Sequence, residues 1–435
     1  MTDAGASFEA LSATGADQIG ATGAISRSSV ARVGAATAIS AVCGYAVLYL
    51  AARALSPAGF SVFGVFWGAF GLVNGAAYGL LQEATREVRT AATMRAGTAR
   101  GGADGPHTHP IAVAAGVGLA AAVAMAGTSP LWAPHVFSES RPLSVVLLCV
   151  GMAGFCVHAT LLGLLAGTGH WGGYGVLMVS DAVMRVAVAA AAFVAGWGLN
   201  GYLWATVAGS VGFLLLLAVS PGARMAARLR TPGSTTAFLR GAGHSIAAAG
   251  ASAILVMGFP VLLKATSGGG DLGAAGGVVI LAVTLTRAPL LVPLTAMQGN
   301  LIAHFVDHRG HRLKALVAPA AVVVALGTAG ILAAGLLGPW LIRVAFGDDY
   351  SPGGALLAWL TAGAVAIALL TVTGAATVAA ALHRAYSIGW VGATVASAAL
   401  LTLPLSLTDR TVVALLCGPL VGMAVHLTAL ARAAH

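Results

Sequence analysis

Charged side chains are scarce in this chain. Asp, Glu, Lys and Arg together make up 8% of its 435 residues, whereas soluble domains carry about 25%. The mean hydropathy of +0.92 agrees with that shortage, so the composition excludes an ordinary soluble protein and predicts a polytopic membrane protein. The formal net charge of +9 would favour a nucleic-acid partner in a soluble protein. Here most basic residues lie in short loops between apolar spans, which is a signal of membrane topology and predicts no nucleic-acid partner.

Cysteine and long loops are lacking as well. Cys43, Cys149, Cys156 and Cys417 all fall inside apolar stretches. That placement is typical of small buried hydrophobic residues and not of a disulfide framework or a metal site. The predicted outer loops are too short for a soluble catalytic domain, and the sequence contains no nucleotide-binding motif. These absences predict a protein that is not an enzyme, holds no cofactor and acts within the membrane.

Long apolar stretches predict twelve membrane spans. They lie near residues 32–54, 59–82, 110–133, 143–166, 172–195, 199–219, 243–265, 275–302, 315–338, 354–380, 387–407 and 411–431. Residues 1–30 are rich in small and polar residues and are predicted to form a disordered cytoplasmic tail with no cleavable signal peptide. The rest of the chain is predicted to consist of a first lobe with spans 1–6 (31–220), a basic cytoplasmic linker (221–241) and a second lobe with spans 7–12 (242–435).

The basic residues predict the orientation of these spans. With both termini in the cytoplasm, fifteen Lys and Arg residues lie inside and five lie outside, at Arg53, Arg141, Lys264, Arg343 and Arg410. This distribution obeys the positive-inside rule, and the opposite orientation would violate it. The expected location is therefore a bacterial plasma (inner) membrane, crossed many times, with both termini in the cytoplasm.

The two halves of the chain contain similar segments. FSESRPLSVVLLCVGMAG (137–154) aligns without a gap with FGDDYSPGGALLAWLTAG (346–363), at an offset of 209 residues. Because that offset covers six spans, an even number, both halves keep the same orientation in the membrane. The expected arrangement is two parallel six-helix lobes with a cavity between them. Chance similarity between segments rich in Ala, Gly and Leu is the alternative explanation.

The stretch from Val278 to Phe305 carries the main candidate site. Arg287 lies near the middle of an apolar span, and Pro289 and Pro293 follow it. An Arg at the centre of a membrane helix costs roughly 2.5–3.5 kcal/mol on insertion scales, and prolines favour kinks that can act as hinges. A kinked helix with a cation at this depth indicates a polar cavity for an anionic ligand. The alternative is an Arg held by a carboxylate on a neighbouring helix, with no ligand.

A second candidate site lies in span 5. Asp181 and Arg185 are four residues apart on one helix face, with the acid before the base, which is the favourable order for an ion pair. One hypothesis is a pair that only neutralises itself. The other is that both line the cavity with Arg287, and that protonation of Asp181 frees Arg185 for an anionic ligand.

Further polar residues in the spans are candidates for lining the cavity or for contacts between helices. These are Asn74, Tyr78 and Gln82 in span 2 and Gln298 in span 8. Four residues of a basic inner loop have spacing that could suit a metal: His304, Asp307, His308 and His311. A solvated loop explains them better, so no metal site is predicted. His107 and His109 have the same interpretation.

Three segments resemble oligosaccharide-flippase-like proteins. They are ARALSPAGFSVFGVFWGAF after span 1, GLLAGTGHWGGYGVLMVSDAVMR across spans 4–5, and VAFGDDYSPGGALLAWL across spans 9–10. The chain thereby resembles the polysaccharide transporter (Wzx-like) branch of the multidrug/oligosaccharidyl-lipid/polysaccharide (MOP) exporter superfamily. The segments keep the expected order over most of the chain. The departures from the family are few acids and few aromatic residues in the expected cavity.

The resemblance implies a V-shaped all-α bundle that works by alternating access. It implies a polyprenyl-diphosphate-linked oligosaccharide as cargo, moved from the cytoplasmic to the outer leaflet for cell-envelope polysaccharide biosynthesis. Arg287 and Arg185 are the positions that fit the cationic cavity residues of such proteins. Membrane lipids, and glycosyltransferases or a polymerase of the same pathway, are the implied partners, and the coupling ion is not specified. The alternatives are a cation-coupled exporter of drugs or small molecules with the same fold, and a non-transporting envelope-assembly protein.

Overall fold

The computed structural model describes residues 27–97, 106–268, 270–308 and 312–433. In these ranges the chain forms sixteen α-helices: α1 (Arg27–Ala54), α2 (Pro57–Gly97), α3 (Pro110–Val136), α4 (Arg141–Gly167), α5 (Trp171–Ala195), α6 (Gly198–Ala208), α7 (Phe213–Val219), α8 (Pro221–Ala227), α9 (Thr235–Val256), α10 (Phe259–Ala265), α11 (Gly273–Ala296), α12 (Gln298–Asp307), α13 (Arg312–Phe346), α14 (Gly354–Ala379), α15 (His383–Leu401) and α16 (Leu407–Arg432). The strands β1 (His107–Thr108) and β2 (Thr231–Pro232) pair antiparallel. Residues 1–26 of the predicted tail lie outside the described ranges.

Helices occupy the positions of all twelve predicted spans. Within the described ranges, nine helices are long and apolar enough to cross a membrane, or up to eleven if each of two bent pairs is one span. The shorter helix α15 stands at the position of predicted span 11. The all-α polytopic fold class is confirmed. The region predicted as a linker (221–241) contains α8, β2 and the first residues of α9. Helix α9 begins within this region because the Ser234 hydroxyl caps it by accepting a hydrogen bond from Ala237 N at 3.2 Å.

Three of the predicted spans are broken helices. Span 6 is α6 and α7, joined by a 3₁₀ turn (Gly209–Val211) with a bend of 41°, and span 7 is α9 and α10 with a bend of 69°. The larger bend occurs at Met257 and Gly258, just before Pro260, whose ring removes a backbone donor and prevents a continuous helix. Span 8 is α11 and α12, which meet at Met297, four residues after Pro293.

A row of glycines on α2 forms the contact between the two halves of the chain. These residues, called the glycine face below, are Gly64, Gly68, Gly71, Gly75 and Gly79. Their spacing of three or four residues places them on one side of the helix. A Cβ on Gly75 would meet Ala253 of α9, and a Cβ on Gly79 would meet the backbone at Ile246. The absence of side chains therefore lets α2 and α9 approach closely.

The halves also meet at the end of the bundle that contains loops 55–56 and 347–353, which the sequence predicts to be outside. The Tyr350 hydroxyl donates to Leu55 O at 3.5 Å, and the Tyr350 ring lies edge-on to Phe60 at 5.9 Å. Burial, and then the nearby Asp349, raise the pKa of Tyr350, so its hydroxyl stays a neutral donor. These contacts close the predicted outer end.

A cavity of about 100 Å³ lies at the same end. Ser61 and Glu139 of the first half and Lys264 and Asp271 of the second half are among the residues that line it. The buried Lys264 ammonium donates to Gly270 O at 2.9 Å and to Asp271 Oδ1 at 3.2 Å. The closed outer end thus has a polar interior.

At the opposite end, predicted to be cytoplasmic, the pairing of β1 with β2 joins the segment before α3 to the segment before α9. His107 pairs with Pro232 and Thr108 with Thr231. Gly233 N donates to Pro106 O at 2.8 Å, and the Thr108 hydroxyl donates to Gly233 O at 2.9 Å. This short bridge is a third direct contact between the halves, after the glycine face and the contacts of Tyr350.

Candidate functional site

Asp181 and Arg185 of span 5 form an ion pair in the structure, which their spacing in the sequence allowed without deciding it. Arg185 Nη2 lies 2.9 Å from Asp181 Oδ1. The Arg185 side chain is 12% exposed and the Asp181 side chain 18% exposed. The guanidinium of Arg185 also stands over the Phe70 ring of α2, 5.1 Å from its centroid. Gly209, in the 3₁₀ turn of span 6, packs so closely on the pair that a Cβ there would clash with both side chains. The break in span 6 therefore makes room for the pair.

Sequence reasoning missed His158, which belongs to the same polar cluster. His158 lies on α4, is 2% exposed, and stacks on Phe155 with ring centroids 5.1 Å apart. Its Nδ1 is buried and has no hydrogen-bond partner among the described residues. Aromatic rings connect it to the ion pair, because Phe155 also lies 6.5 Å from Phe70, the ring below Arg185. An ionisable residue within an apolar span is itself a functional signal, and this signal was available in the sequence.

The polar residues predicted in span 2 lie on one face of α2. Asn74, Tyr78 and Gln82 are each four residues apart, which places them in one row. Tyr78 meets Phe155 edge-on at 5.5 Å and is 40% exposed. Asn74 is buried with its Oδ1 unpartnered in the described part of the chain, and Gln82 is exposed. Tyr78 thus connects this row to the cluster of His158, Asp181 and Arg185.

Arg287 lies on α11 and is held against the bend between α9 and α10. Its Nη1 donates to Val256 O at 3.1 Å and to Leu255 O at 3.4 Å, which are carbonyls at the end of α9. The guanidinium stands over Phe259 at 5.1 Å, and the residue is 7% exposed. Cations near a helix C-terminus interact favourably with its free carbonyls. Arg287 therefore stabilises the end of a broken helix.

The partner of Arg287 is not the carboxylate that the alternative hypothesis required. In the ranges that the structure describes, none of its salt bridges involves Arg287. Nε and Nη2 of Arg287 are buried and make no hydrogen bond there. An unsatisfied buried donor costs about 1–3 kcal/mol. The edge of the guanidinium formed by Nε and Nη2, which carries two parallel N–H bonds, thus has no partner among the described residues.

The two arginines lie on different sides of α2. Phe70 contacts Arg185, while Gly71, the next residue, packs on Met257 at the bend that Arg287 caps. The polar contacts of the described side chains do not join Arg185 to Arg287. The structure therefore brings Tyr78, Asp181 and Arg185 together and places Arg287 across α2 from them.

Glu83 is a second residue that sequence reasoning missed. It is 2% exposed and lies against Gly241 of α9, at the inner end of the contact between the halves. Arg86 pairs with it, with Nε 3.1 Å from Oε2. The predicted span ended at residue 82, whereas α2 continues to Gly97. Two residues of i,i+3 spacing and opposite charge could have signalled this extension.

The remaining candidates add no metal centre. Pro289 and Pro293 lie within α11 and are exposed, and their role as a hinge stays a prediction. Gln298 begins α12, and its side chain lies outside the described part. Among the described residues, no group of three or more His, Cys, Asp and Glu side chains could hold a metal ion. His311 is outside the described ranges.

No known family model matches the sequence. The chain is 70% identical over 410 residues to uncharacterized protein Mb3654 of Mycobacterium bovis, and 69% identical over 410 residues to uncharacterized protein Rv3630 of Mycobacterium tuberculosis, with 94% of each chain covered. It is 66% identical over 411 residues to uncharacterized protein Rv1510 of Mycobacterium tuberculosis, covering 94% of this chain and 93% of that one.

Solved structures of transporters share the fold. A MATE family multidrug resistance transporter of the MOP superfamily in the inward-facing conformation superposes with a TM-score of 0.70 at 16% identity, over 91% of this chain and 95% of that one. The outward-facing conformation of such a transporter gives 0.60 at 15% identity, over 93% and 96%. A MOP superfamily transporter from Pyrococcus furiosus, whose binding pocket has reverse polarity, gives 0.60 at 15% identity with the same coverage. The chain belongs to the mycobacterial family that contains Rv3630 and Rv1510, and it has the fold of MATE transporters of the MOP superfamily.

Proposed function

We propose that this protein is a membrane transporter that moves a polyprenyl-diphosphate-linked oligosaccharide, or a related glycolipid, from the cytoplasmic to the outer leaflet of the bacterial plasma membrane. The observation that carries the proposal is the free Nε–Nη2 edge of Arg287. The fold supports transport by alternating access, and the cationic residues at mid-span support an anionic group in the cargo.

The orientation of Arg287 suits recognition of a phosphate. Its Nη1 is fixed by two carbonyls, so the edge formed by Nε and Nη2 is the one left for a ligand. That edge presents parallel N–H donors, which bind phosphate or carboxylate oxygens bidentately. A diphosphate brings several such oxygens. The carbonyl contacts thus orient the guanidinium in advance, which lowers the entropic cost of binding.

Alternating access is supported by the way the two ends of the bundle differ. The superposition is closer on an inward-facing than on an outward-facing transporter, with TM-scores of 0.70 and 0.60. The contacts of Tyr350 with Leu55 and Phe60 close the predicted outer end. A cargo would enter from the cytoplasmic side in this conformation and leave after these contacts separate.

The ion pair in span 5 offers a second cation, on the other side of α2 from Arg287, for a separate contact with the cargo. Arg185 has a free, buried Nε, and Asp181 holds its Nη2. Protonation of Asp181 would remove the negative charge and release Arg185 for an anionic ligand. The site would then couple proton uptake to cargo binding.

A cation-coupled exporter of drugs or other small molecules is the second candidate function. It is favoured by the presence of a carboxylate, Asp181, that keeps 18% of its side chain exposed within the spans, and by the fold that the chain shares with a multidrug resistance transporter. In that function Asp181 would bind the cargo or the coupling ion directly, and Arg287 would serve only to cap α9. Arg287 therefore distinguishes the two candidates.

The test in cells is lipid analysis after depletion of the protein, with polyprenyl-linked intermediates separated by leaflet accessibility. A saccharide-loaded lipid should accumulate on the cytoplasmic side and should be cleared by the wild-type protein and by Arg343→Ala, which changes an exposed outer arginine. Arg287→Ala should be present in the membrane but fail to clear it. An unchanged lipid-linked pool after depletion would remove the glycolipid assignment and leave the exporter. Glycosyltransferases or a polymerase of the pathway would then drop out as expected partners.

A further inference from the structure

A groove of about 630 Å³ lies on the side of the bundle, between α3 and α9. One face of α3 forms the long wall of the groove. At Gly116 this wall has space for a side chain, because a Cβ there would meet no atom within 4 Å. Thr235 and Leu239 of α9 form the opposite wall, and the complete lining is His107, His109, Ala112, Val113, Gly116, Val117, Ala120, Thr235 and Leu239. The groove is apolar along α3 and polar at the end that holds the two histidines.

The apolar part has the dimensions of a hydrocarbon chain. From Ala112 to Ala120 the wall follows two turns of α3, a length of about 12 Å at 1.5 Å per residue. The side chains along it are Ala, Val and Gly only. It begins at the predicted cytoplasmic ends of α3 and α9 and runs into the membrane, which is the path of a lipid tail in the inner leaflet.

The polar end of the groove lies at the starts of two helices. α3 and α9, helices of 27 and 22 residues, both begin there, so the positive ends of their dipoles point toward it. His107 and His109 lie at this end, and Arg240 follows Leu239 on α9. His109 Nδ1 is buried without a partner among the described residues.

No negative group of α3 or α9 balances this charge. Neither helix contains Asp or Glu. Glu83 of α2 is the acid that approaches α9, at Gly241, and Arg86 pairs with it. The positive ends of the two helix dipoles are therefore not offset by an acid of α3 or α9, which favours a phosphate at this end.

We propose that this groove binds one anionic phospholipid of the cytoplasmic leaflet, with its phosphate at the starts of α3 and α9 and an acyl chain along Gly116. The occupant is a resident lipid and not the transported cargo. Thr235 and Leu239 lie on the same face of α9 as Ile246 and Ala253, which pack on the glycine face of α2, but nearer the start of the helix. Leu239 and Leu255, whose carbonyl binds Arg287, are sixteen residues apart on α9, about 24 Å at 1.5 Å per residue. The groove is thus separate from the cargo site proposed at Arg287.

The position of the groove gives the lipid a role in holding the halves together. α3 belongs to the first half and α9 to the second, and the β1–β2 bridge lies at the same end. A ligand that binds this arrangement more tightly than the separated one stabilises it by mass action. An anionic lipid would therefore favour the conformation in which α3 and α9 are adjacent.

The test uses the purified full-length protein in detergent, titrated with phosphatidylglycerol or phosphatidylcholine while the melting temperature is followed. Phosphatidylglycerol should raise the melting temperature of the wild type, and phosphatidylcholine should raise it much less. Gly116→Leu fills the groove without a clash, and its apparent Kd for phosphatidylglycerol should rise by about tenfold or more, equivalent to about 1.4 kcal/mol. Gly127→Leu is the matched control, because Gly127 is also on α3 with open space around it, and it should behave as wild type.

A second variant tests the polar end. His107→Gln combined with His109→Gln should weaken phosphatidylglycerol binding but leave the small effect of phosphatidylcholine unchanged. This histidine variant also tests the lipid site if Gly116→Leu does not fold. Equal stabilisation by both lipids would overturn the phosphate site. Phosphatidylglycerol binding that is unchanged in the Gly116 variant would overturn the assignment of the groove as a lipid site. If only the histidine variant folds, unchanged binding in that variant would overturn it.

Discussion

Arg287 Nη1 donates a hydrogen bond of 3.1 Å to Val256 O, at the point where the helix of span 7 bends by 69°. One side of the guanidinium therefore stabilises the protein's own backbone. The other side, Nε and Nη2, is buried and free. A single residue thus links the shape of a broken span to an anion-binding edge, and substitutions can separate the two roles.

Arg287→Lys should keep the first role better than the second. A lysine ammonium can still interact with the carbonyls that end α9 but cannot present a bidentate edge. Arg287→Met should lose both. We expect melting temperatures in the order wild type, then Lys, then Met, with Met destabilised by about 1–3 kcal/mol because the carbonyl contacts are lost. A Met variant as stable as wild type would show that removal of the unsatisfied donors Nε and Nη2 offsets the lost carbonyl contacts, so that Arg287 gives no net stability.

The ion pair in span 5 should behave as a coupled unit. Asp181→Asn leaves Arg185 without its partner in a site where 12% of the arginine side chain is exposed. Removing one member of a buried pair costs more than removing both. We expect Asp181→Asn to lower the melting temperature more than the double variant Asp181→Asn with Arg185→Gln. Additive effects of the two single changes in a double-mutant cycle would indicate that the pair does not contribute.

The contact between α2 and α9 predicts an engineered crosslink. The Cβ of Ala76 lies 3.6 Å from the position of a Cβ on Gly250, which suits a disulfide. Ala76→Cys with Gly250→Cys should form one under mild oxidation, in a background where the four native free cysteines are replaced. The check is a mobility shift that dithiothreitol reverses. Ala76→Cys with Gly44→Cys is the control and should stay reduced.

Glycines at the contact should be sensitive to one added methyl group. A Cβ on Gly79 would clash with the backbone at Ile246, whereas Gly44 on α1 has open space. Gly79→Ala should therefore reduce the yield of the crosslink between residues 76 and 250 by several-fold, and Gly44→Ala should not. Equal yields in both would mean that α2 and α9 can shift without cost.

The predicted outer end offers a matching test. A Cβ on Gly277 of α11 would clash with Pro57 O at the start of α2. Gly277→Ala should therefore open this end and expose Ser61, which is 3% exposed and lines the small cavity there. Labelling of Ser61→Cys by an impermeant maleimide should increase in Gly277→Ala. Unchanged labelling of Ser61→Cys would show that the Gly277→Ala clash does not open the predicted outer end.

The sequence predicted the helices better than their breaks. Spans could be found because apolar length alone identifies them. The spacing of four residues placed Asp181 and Arg185 on one helix face but did not decide whether they pair with each other. The bend at Met257 depends on Pro260 and on the packing of Gly68 and Gly71 against it. That packing joins residues far apart in sequence, so local patterns did not reveal it.

The partner of Arg287 could not be predicted for the same reason. The sequence offered a carboxylate or a ligand as alternatives, and the structure supplies backbone carbonyls 31 and 32 residues away. Carbonyls become available only because the helix is broken. His158 and Glu83 were missed because each was read as part of an apolar or basic segment. The division into lobes at residues 221–241 and the symmetry between the halves stay predictions.

The most direct test of the central claim is flipping of a fluorescent polyprenyl-diphosphate-linked saccharide in proteoliposomes that contain the purified full-length protein. Movement between leaflets is followed by an impermeant quencher, with Arg343→Lys as the control, because it makes the same exchange at an exposed outer arginine. Wild type and Arg343→Lys should move the lipid, and Arg287→Lys should be slower by roughly tenfold or more, because losing charged hydrogen bonds costs about 1.5–3 kcal/mol. Equal rates for wild type and a folded Arg287→Lys, or no movement by the wild type, would contradict the account.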